Sequence, residues 1–276
     1  MTTAPDKRTA TAFDRSWLNL PKGSVYTLDQ VLDWMNPLQP QDFQGKSVLE
    51  MGCGNGSQMV HVASWNPRLL QGIDLGDSVQ AAIDNLERSG FDGWLVDQAD
   101  LTTYQSEDGF DVVYCIGVLH HLRSPGDGFR AVIRNVKPGG RFHCWVYAKE
   151  GNLMVRLLVE PLRRGLSKAP WWFTKYLVAT PLAIPVFVYA RSLKALRRWF
   201  PLLTKLPLST YFLWIAEREV GFFRHVIFDQ LVAPTTHYIT RAQIEEWLGS
   251  VDELDRSSAY IIQRNGNSWK FGGGVL

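Results

Sequence analysis

The feature that most constrains this chain is a set of three alternate glycines at the end of an apolar segment. Val48, Leu49 and Met51 lead into Gly52-Cys53-Gly54-Asn55-Gly56, and a helical pattern follows. This order predicts a buried strand, a tight turn and the start of a helix. Glycine permits positive φ and close approach of the backbone, and the first N–H groups of a helix are free to bind polar ligand atoms. The segment therefore predicts a ligand cradle, although the glycines alone do not identify the ligand.

Two carboxylates and a histidine pair follow at the ends of later apolar segments. Asp74 lies about twenty residues after the glycines, where an acidic side chain can accept hydrogen bonds from ribose hydroxyls. Asp100 closes a third segment, and a fourth, Phe110–Leu122, ends in His-His-Leu. Helical patterns separate these segments, and such alternation predicts a parallel sheet whose ligand lies beyond the carboxyl ends of the strands.

In this order the motifs resemble those of the class I S-adenosylmethionine-dependent methyltransferases, closely from Lys46 to Tyr147 and more loosely from Thr240 onward. The resemblance implies an α/β fold with a Rossmann-like, seven-stranded, mostly parallel sheet, a C-terminal antiparallel hairpin and a helical insertion or cap. A nicotinamide-binding Rossmann unit is the alternative, but its glycines usually run G-x-G-x-x-G, whereas these run G-x-G-x-G.

The resemblance names S-adenosyl-L-methionine as the cofactor and implies roles for individual residues. Asp74 would hold the ribose diol, Asp100 would accept from the adenine amino group, and Glu50 would order the loop or reach the methionyl ammonium through water. The competing interpretation is that some of these are only turn and cap residues. The full set expected at the cofactor is Glu50, Gly52, Gly54, Gly56, Asp74, Leu75, Asp100, Leu101, Ile116 and His121.

Methyl transfer from a sulfonium depends mainly on orienting donor and acceptor, so no catalytic residue is compulsory. If the acceptor is a hydroxyl, a general base helps, and His120, His121 and His237 are the candidates. In similar enzymes the segment before Thr240 binds the acceptor, which suggests Asp229, His237 and Tyr238. The alternatives are that His121 only lines the cofactor pocket and that His237 makes a structural hydrogen bond.

The residues after the fourth strand bear on the kind of acceptor. Enzymes that methylate nucleobase or glutamine nitrogens typically carry Asn-Pro-Pro-Tyr there, whereas this chain has Cys115–Val118. We therefore expect methyl transfer to a small-molecule or lipid-like acceptor, at oxygen. Two alternatives stay open: a protein that binds S-adenosylmethionine without turnover, and a nucleic-acid methyltransferase that uses a basic insertion.

The sequence divides into four predicted segments. Residues 1–45 would cover the cofactor, 46–149 form the cofactor-binding core, 150–235 form a helical insertion or cap, and 236–276 complete the sheet. Residues 1 to about 12 are expected to be disordered. Phe13 and Trp17 would fold over the cofactor or pack on the sheet, and the motif beginning at Thr27 predicts a capped helix.

The insertion differs in composition from the rest of the chain. Residues 151–205 hold ten basic residues against one acidic residue, a net charge of +9, and the whole chain carries +2, so the remainder carries −7. Leu153–Leu166 and Arg191–Leu203 are predicted to be basic amphipathic helices. Between them, Tyr176–Ala190 is uncharged and contains two prolines, and it falls short of the roughly 20 apolar residues of a spanning helix. The insertion is expected to be a soluble cap or to make peripheral contact with an anionic membrane.

The cysteines, the histidines and the N-terminal residues bear on disulfides, metal binding and location. The three cysteines are widely spaced and predict neither a disulfide framework nor a metal site. Spacings of four and eight among His225, Asp229 and His237 do not favour a metal either. The N-terminal residues lack the apolar core of a signal peptide, so we expect a cytoplasmic protein, peripheral at the membrane if the insertion binds lipid. Nucleic acid is a disfavoured partner, and the oligomeric state is not predicted.

Overall fold

The computed structural model describes residues 4–17, 25–206 and 208–276. Contacts divide the chain into two compact units. The first contains the chain up to Tyr147 together with Thr235–Ile262 and Trp269–Leu276, and the second contains Ala148–Pro234 and Gln263–Ser268. The second unit therefore includes the turn of the C-terminal hairpin as well as most of the predicted insertion.

A seven-stranded sheet forms the centre of the first unit, in the order β3-β2-β1-β4-β5-β7-β6. The five strands from β3 to β5 are parallel, and the two C-terminal strands are antiparallel. This arrangement confirms the predicted fold class. The strands are β1 (Ser47–Met51), β2 (Leu69–Asp74), β3 (Trp94–Gln98), β4 (Phe110–Ile116), β5 (Val136–Tyr147), β6 (Leu254–Arg264) and β7 (Ser268–Val275).

Strand β1 lies at the middle of the parallel part, and all five of its residues are buried. A strand covered on both faces needs apolar side chains on both, which explains the unbroken apolar run in the sequence. Glu50 is the exception, and its Oε2 accepts a hydrogen bond from the Tyr114 hydroxyl of β4 at 2.7 Å. The two residues are register partners, so pairing of the strands brings them together.

Helices cover the sheet, and two of them begin as predicted. Thr27 accepts from Gln30 N at the start of α2 (Leu28–Met35), and Thr240 accepts from Gln243 N at the start of α11 (Arg241–Gly249). In both, the glutamine side chain accepts in return from the threonine N–H, which completes a capping box. The helices of the first unit are α1 (Ala4–Trp17), α2 (Leu28–Met35), α3 (Pro40–Phe43), α4 (Met59–Ala63), α5 (Val79–Glu87), α6 (Pro125–Arg134) and α11 (Arg241–Gly249).

The N-terminal helix α1 corrects one prediction. Residues up to about 12 were expected to be disordered, yet the helix begins at Ala4. Long-range contacts hold it: Asp14 Oδ1 accepts from Ser78 N at 2.9 Å, and the Phe13 ring lies 4.9 Å from the His121 ring. The side chain of Trp17 lies outside the described part of the structure, so its predicted role stays a prediction.

The second unit is helical, and its longest helix corrects another prediction. A π-helical stretch, Phe173–Ala179, runs directly into α8, so the helix is continuous for 24 residues from Phe173 to Leu196. By length and composition alone it is long and apolar enough to cross a membrane, whereas the uncharged run Tyr176–Ala190 within it is not. The elements are α7 (Leu153–Leu166), the π-helical stretch, α8 (Thr180–Leu196), a 3₁₀ turn (Pro201–Lys205), α9 (Ser209–Ile215) and α10 (Val220–Val232).

Neither proline ends this helix. Pro181 lies two residues after the π-helical stretch, and beside it the backbone N–H and Oγ1 of Thr180 both donate to the Lys175 carbonyl, the latter at 2.8 Å. Pro185 lies inside α8 without ending it. Consequently Arg191 does not start a new helix as predicted but lies in the last turns of α8, which ends at Leu196.

Candidate active site

The glycine turn after β1 has the backbone geometry that the sequence predicted. Gly52, Gly54 and Gly56 have φ of 87°, 53° and 72°, in the left-handed region that side chains disfavour. A Cβ on Gly52 would also collide with Cγ2 of Val118, so this side chain, two residues after the end of β4, packs directly on the turn. Only glycine satisfies both conditions at position 52.

Side chains that were not predicted from the sequence hold the turn in place. Asn55 Oδ1 accepts from the backbone N–H of Ser57 at 3.2 Å and from its hydroxyl at 2.7 Å. Asn85 on α5 donates to the Asn55 carbonyl at 2.9 Å. All three residues are buried, so the turn is a fixed element of the first unit.

Asp74 lies at the end of β2 beside this turn. Its Oδ2 accepts from Gly54 N and its Oδ1 accepts from Gly76 N, both at 2.9 Å. Burial raises the pKa of Asp74, and the two backbone hydrogen bonds oppose that rise. A carboxylate offers about four lone-pair sites, so the backbone hydrogen bonds leave room for ribose hydroxyls. The geometry therefore fits the role expected for this residue.

Asp100 provides a direct test of whether the residues fit an adenine ring. Its Oδ1 accepts from the N–H and hydroxyl of Thr102, at 2.9 and 2.7 Å. Its Oδ2 is buried and has no hydrogen-bond partner among the described residues. A buried acceptor of this kind needs a donor, and the adenine amino group is one. Leu101 and Ile116, which were expected against the ring, are both buried.

Glu50 lies beneath the turn in a buried position. Burial raises its pKa to about 8, while the hydrogen bond from Tyr114 lowers it and the charge of Asp74 raises it further. The carboxyl therefore holds its proton at neutral pH. Tyr114 was not predicted, because its only signal is its position opposite Glu50 in the register of β1 and β4.

The histidine pair lies in a 3₁₀ turn, Leu119–His121, shortly after β4. The segment before α11 runs beside it: His237 N donates to the His120 carbonyl at 2.7 Å, and His121 Nδ1 bonds the Thr235 carbonyl at 2.8 Å. The structure thus brings together the three histidines proposed as bases. The Thr235 carbonyl was not predicted, because a backbone oxygen carries no residue-specific signal.

Aromatic rings surround the histidine pair. The His120 ring lies 4.1 Å from the Tyr147 ring, which stacks on Tyr238 at 6.3 Å between centroids. Trp145 lies 5.3 Å from Tyr147, and its Nε1 is buried without a hydrogen-bond partner among the described residues. Aromatic side chains therefore make up most of the surroundings of the histidine pair.

Asp229 is placed differently from the other predicted acceptor residues. It lies on α10 in the second unit, where its Oδ2 is 3.2 Å from His225 Nε2. His237 and Tyr238 belong to the first unit. The role of Asp229 at the acceptor therefore stays a prediction. Within the described ranges, no group of three or more His, Cys, Asp or Glu residues is arranged to hold a metal ion.

Comparison with known proteins identifies the family of this chain. A family model described as a methyltransferase domain matches residues 26–200, which is more than half of the chain. The chain belongs to this methyltransferase family, which is of the class I S-adenosylmethionine-dependent type. S-adenosylmethionine is accordingly the cofactor. The residues that would hold it are Asp74, Asp100 and the glycine turn that begins at Gly52.

Individual relatives are similar over part of the chain. A tRNA U34 carboxymethyltransferase of Desulfotalea psychrophila is 30% identical over 146 residues, 46% of this chain and 43% of that protein. A ubiquinone biosynthesis O-methyltransferase of Pseudomonas fluorescens is 33% identical over 99 residues, 35% of this chain and 42% of that protein. The chain thus matches less than half the length of these curated relatives.

A solved structure shares the fold over the whole chain. Magnesium protoporphyrin IX methyltransferase of Synechocystis PCC 6803, determined with bound S-adenosylhomocysteine, aligns with a TM-score of 0.50 at 13% identity. The alignment covers 100% of this chain and 89% of that one. At this identity the likeness concerns the fold alone.

Proposed function

We propose that this protein methylates a hydroxyl group of a small or lipid-like acceptor and that His121 is the general base. The observation that carries the proposal is the 2.8 Å hydrogen bond between His121 Nδ1 and the Thr235 carbonyl. A carbonyl oxygen only accepts, so neutral His121 carries its proton on Nδ1. The basic lone pair is then on Nε2, the atom that would take a proton from a hydroxyl.

The position of His121 along the chain supports this role. Val118 packs against Gly52 in the cofactor turn, and His121 follows three residues later in a tight 3₁₀ turn. His121 therefore lies on the 3₁₀ turn that would border the methyl group of bound S-adenosylmethionine. Proximity of this kind is the main requirement of methyl transfer, because an oriented acceptor reacts far faster than a free one.

The side chains and backbone of this protein contribute only a few steps to the reaction. When bound, S-adenosylmethionine supplies a methyl group on a cationic sulfur and leaves as S-adenosylhomocysteine, so a carbon–oxygen bond forms as the carbon–sulfur bond breaks. His121 Nε2 accepts the proton that the hydroxyl gives up. The Thr235 carbonyl stabilises the resulting imidazolium, because both ring nitrogens then donate.

The rings near His121 support a flat or apolar acceptor. Phe13, Tyr147 and Tyr238 offer faces on which such a molecule can pack. The segment Cys115–Val118 lacks the polar residues that hold a planar nucleobase amine. A nucleic-acid acceptor, in line with the name of one relative, is the second candidate and is an outcome of the test below.

The test uses methyl-labelled S-adenosylmethionine with three acceptor pools: a total lipid extract, the soluble metabolites and bulk tRNA. We expect label in the lipid or metabolite pool. Label confined to tRNA would overturn the acceptor class. Unlabelled pools despite tight binding of S-adenosylhomocysteine would favour a binding protein without turnover.

Two variants separate a base from a structural histidine at position 121. His121→Asn keeps a donor near the Nδ1 position, so it can still bond the Thr235 carbonyl, but it has no group at Nε2. If Nε2 is the base, kcat should fall by about 10² to 10⁴ with cofactor affinity nearly unchanged. Should His121→Asn retain activity within about threefold while His121→Gln loses it, the histidine only holds the segment at Thr235.

A further inference from the structure

The second unit exposes an unusual amount of apolar surface. Among the described residues, nineteen of the twenty-two large apolar side chains that are exposed lie between Leu153 and Val220. The other three are Leu28, Leu95 and Leu276. Soluble proteins rarely present contiguous apolar surface on this scale unless it binds something.

Helix α7 has its apolar face turned outward. Its exposed side chains recur at the spacing of one helix face, with Leu157 61% and Leu158 59% exposed. On the opposite side Arg163 is buried, where its Nε donates to the Gln230 carbonyl at 2.6 Å and its Nη2 donates to Gln230 Oε1. In a helix that packs its apolar face on the core of a soluble unit, the leucines would be buried and the arginine would be exposed. The exposed apolar residues of α7 are Leu153, Met154, Leu157, Leu158 and Leu162.

The helix Phe173–Leu196 shows the same inversion. Small residues face inward, since Ala183 and Ala190 are fully buried against Ile215 and Phe223 in the core of the second unit. Most large residues face outward, although Phe187 and Leu193 pack inward, and only 22% of the most apolar stretch of 18 residues is buried. Small residues at helix contacts with large apolar residues outside are typical of helices in contact with lipid. The outward residues include Tyr176, Leu177, Leu182, Ile184, Val188 and Tyr189.

Charged and aromatic residues border this apolar surface. The uncharged run is followed by Arg191, Arg197 and Arg198, and then by Trp199, which is 67% exposed, whereas Lys194 is paired with Glu217. Basic residues are attracted to anionic headgroups, and tryptophan prefers the boundary between headgroups and acyl chains. Arg163 and Lys175 are buried and take no part in this border.

The path of the chain argues against a single crossing of the bilayer. The chain leaves the first unit after Tyr147 and returns beside it, since Ile239 N donates to the Tyr147 carbonyl at 2.9 Å. One crossing would place these two residues on opposite sides of the membrane. Within the ranges that the structure describes, Phe173–Leu196 is the one helix long and apolar enough to cross, so no second helix brings the chain back.

We propose that the second unit lies in the interface of an anionic lipid bilayer, with the outward faces of α7 and Phe173–Leu196 in the acyl region and the basic residues around Arg197 at the headgroups. Such in-plane insertion requires no crossing and matches the composition of interfacial helices. The proposal concerns where the protein resides and does not depend on which acceptor it methylates.

The test is sedimentation of the full-length protein with vesicles of phosphatidylcholine alone and of phosphatidylcholine mixed with phosphatidylglycerol. We expect binding to the anionic vesicles that weakens at high salt. Leu157→Ser/Leu158→Ser/Leu162→Ser should bind at least about tenfold more weakly, because these side chains leave the acyl region. All three are exposed, so the fold should survive, and calorimetry with S-adenosylhomocysteine checks this.

A matched control changes three exposed leucines of the first unit, in Leu28→Ser/Leu95→Ser/Leu276→Ser. This variant should bind vesicles as the unmodified protein does. Arg197→Glu/Arg198→Glu should remove the preference for anionic vesicles. No sedimentation at low salt would overturn the proposal. Equal loss of vesicle binding in both leucine triple variants would overturn it too. So would a dimer that forms without lipid and dissociates only in the variant changed at Leu157, Leu158 and Leu162.

Discussion

The backbone N–H of Gly54 donates to Oδ2 of Asp74 over 2.9 Å, and this bond joins the turn after β1 to the end of β2. The second oxygen of the same carboxylate accepts from Gly76 N in the loop that leads to α5. One side chain therefore braces two loops that would border the cofactor, in addition to its expected bonds to ribose. Substitutions at position 74 should accordingly affect both the affinity for the cofactor and the conformation of the two loops.

Asp74→Ala should lower the affinity for S-adenosylhomocysteine at least about tenfold, because charge-assisted hydrogen bonds worth roughly 1.5–3 kcal/mol each are lost with partial replacement by water. Calorimetry with the 2′-deoxy analogue separates the two roles of the carboxylate. Removing the 2′-hydroxyl should weaken binding to the unmodified protein and have little further effect on Asp74→Ala.

Asp97→Ala is a suitable control for this experiment. Asp97 lies near the end of the neighbouring strand β3, is exposed, and accepts from the Gln71 side chain. We expect cofactor affinity close to that of the unmodified protein. If Asp74→Ala discriminates against the 2′-deoxy analogue as strongly as the unmodified protein does, Asp74 does not bind the ribose.

Gly52→Ala should abolish cofactor binding while the sheet remains folded. The new Cβ would meet Val118 and would also occupy a backbone conformation with φ of 87°. Gly45→Ala provides the control, because Gly45 has φ of 70° but no atom within 4 Å of the place that a Cβ would take. Both variants carry the backbone strain, and only the first displaces the turn. Circular dichroism and ligand calorimetry measure the two effects separately, and equal affinities would show that the space beside Val118 is unimportant.

Glu50 should make stability fall as pH rises. Its pKa is about 8 in the folded protein against an ordinary value of 4.5, so between these limits the folded state binds the extra proton. The contribution of that proton is fully present below 4.5 and is lost as pH rises through 8. Over the whole range the change is on the order of a few kcal/mol, measurable by denaturant unfolding across pH.

Two variants check the assignment to Glu50. Glu50→Gln is always neutral and should lack this part of the pH dependence. Tyr114→Phe removes the hydrogen bond that lowers the pKa of Glu50, so the loss of stability should extend to higher pH. If the slope of stability against pH is the same in Glu50→Gln as in the unmodified protein, another group titrates.

Local signals account for what the sequence predicted correctly. The alternate glycines require positive φ at three positions, and all three have it. The capping boxes at Thr27 and Thr240 form because each motif satisfies its own helix terminus within four residues. The apolar run of β1 predicts burial on both faces, and every residue of that strand is buried.

What the sequence did not predict depends on distant contacts or on an unusual environment. Asp14 bonds Ser78 across 64 positions and His121 bonds Thr235 across 114, and neither pair has a local signature. The continuous helix through Pro181 and Pro185 was not predicted. Only uncharged residues were counted, so the apolar run ended at Ala190. Lys175 was counted as a break, yet it lies within the helix and is buried.

The bond between Ile239 and Tyr147 means that the chain returns to the sheet beside the residue at which it left, so residues 148–238 form a loop between adjacent points. The entropy of closing a loop between adjacent ends changes by only about 0.6 kcal/mol for each doubling of its length. This block can therefore be lengthened, shortened or exchanged at little entropic cost without moving β5 or the glycine turn.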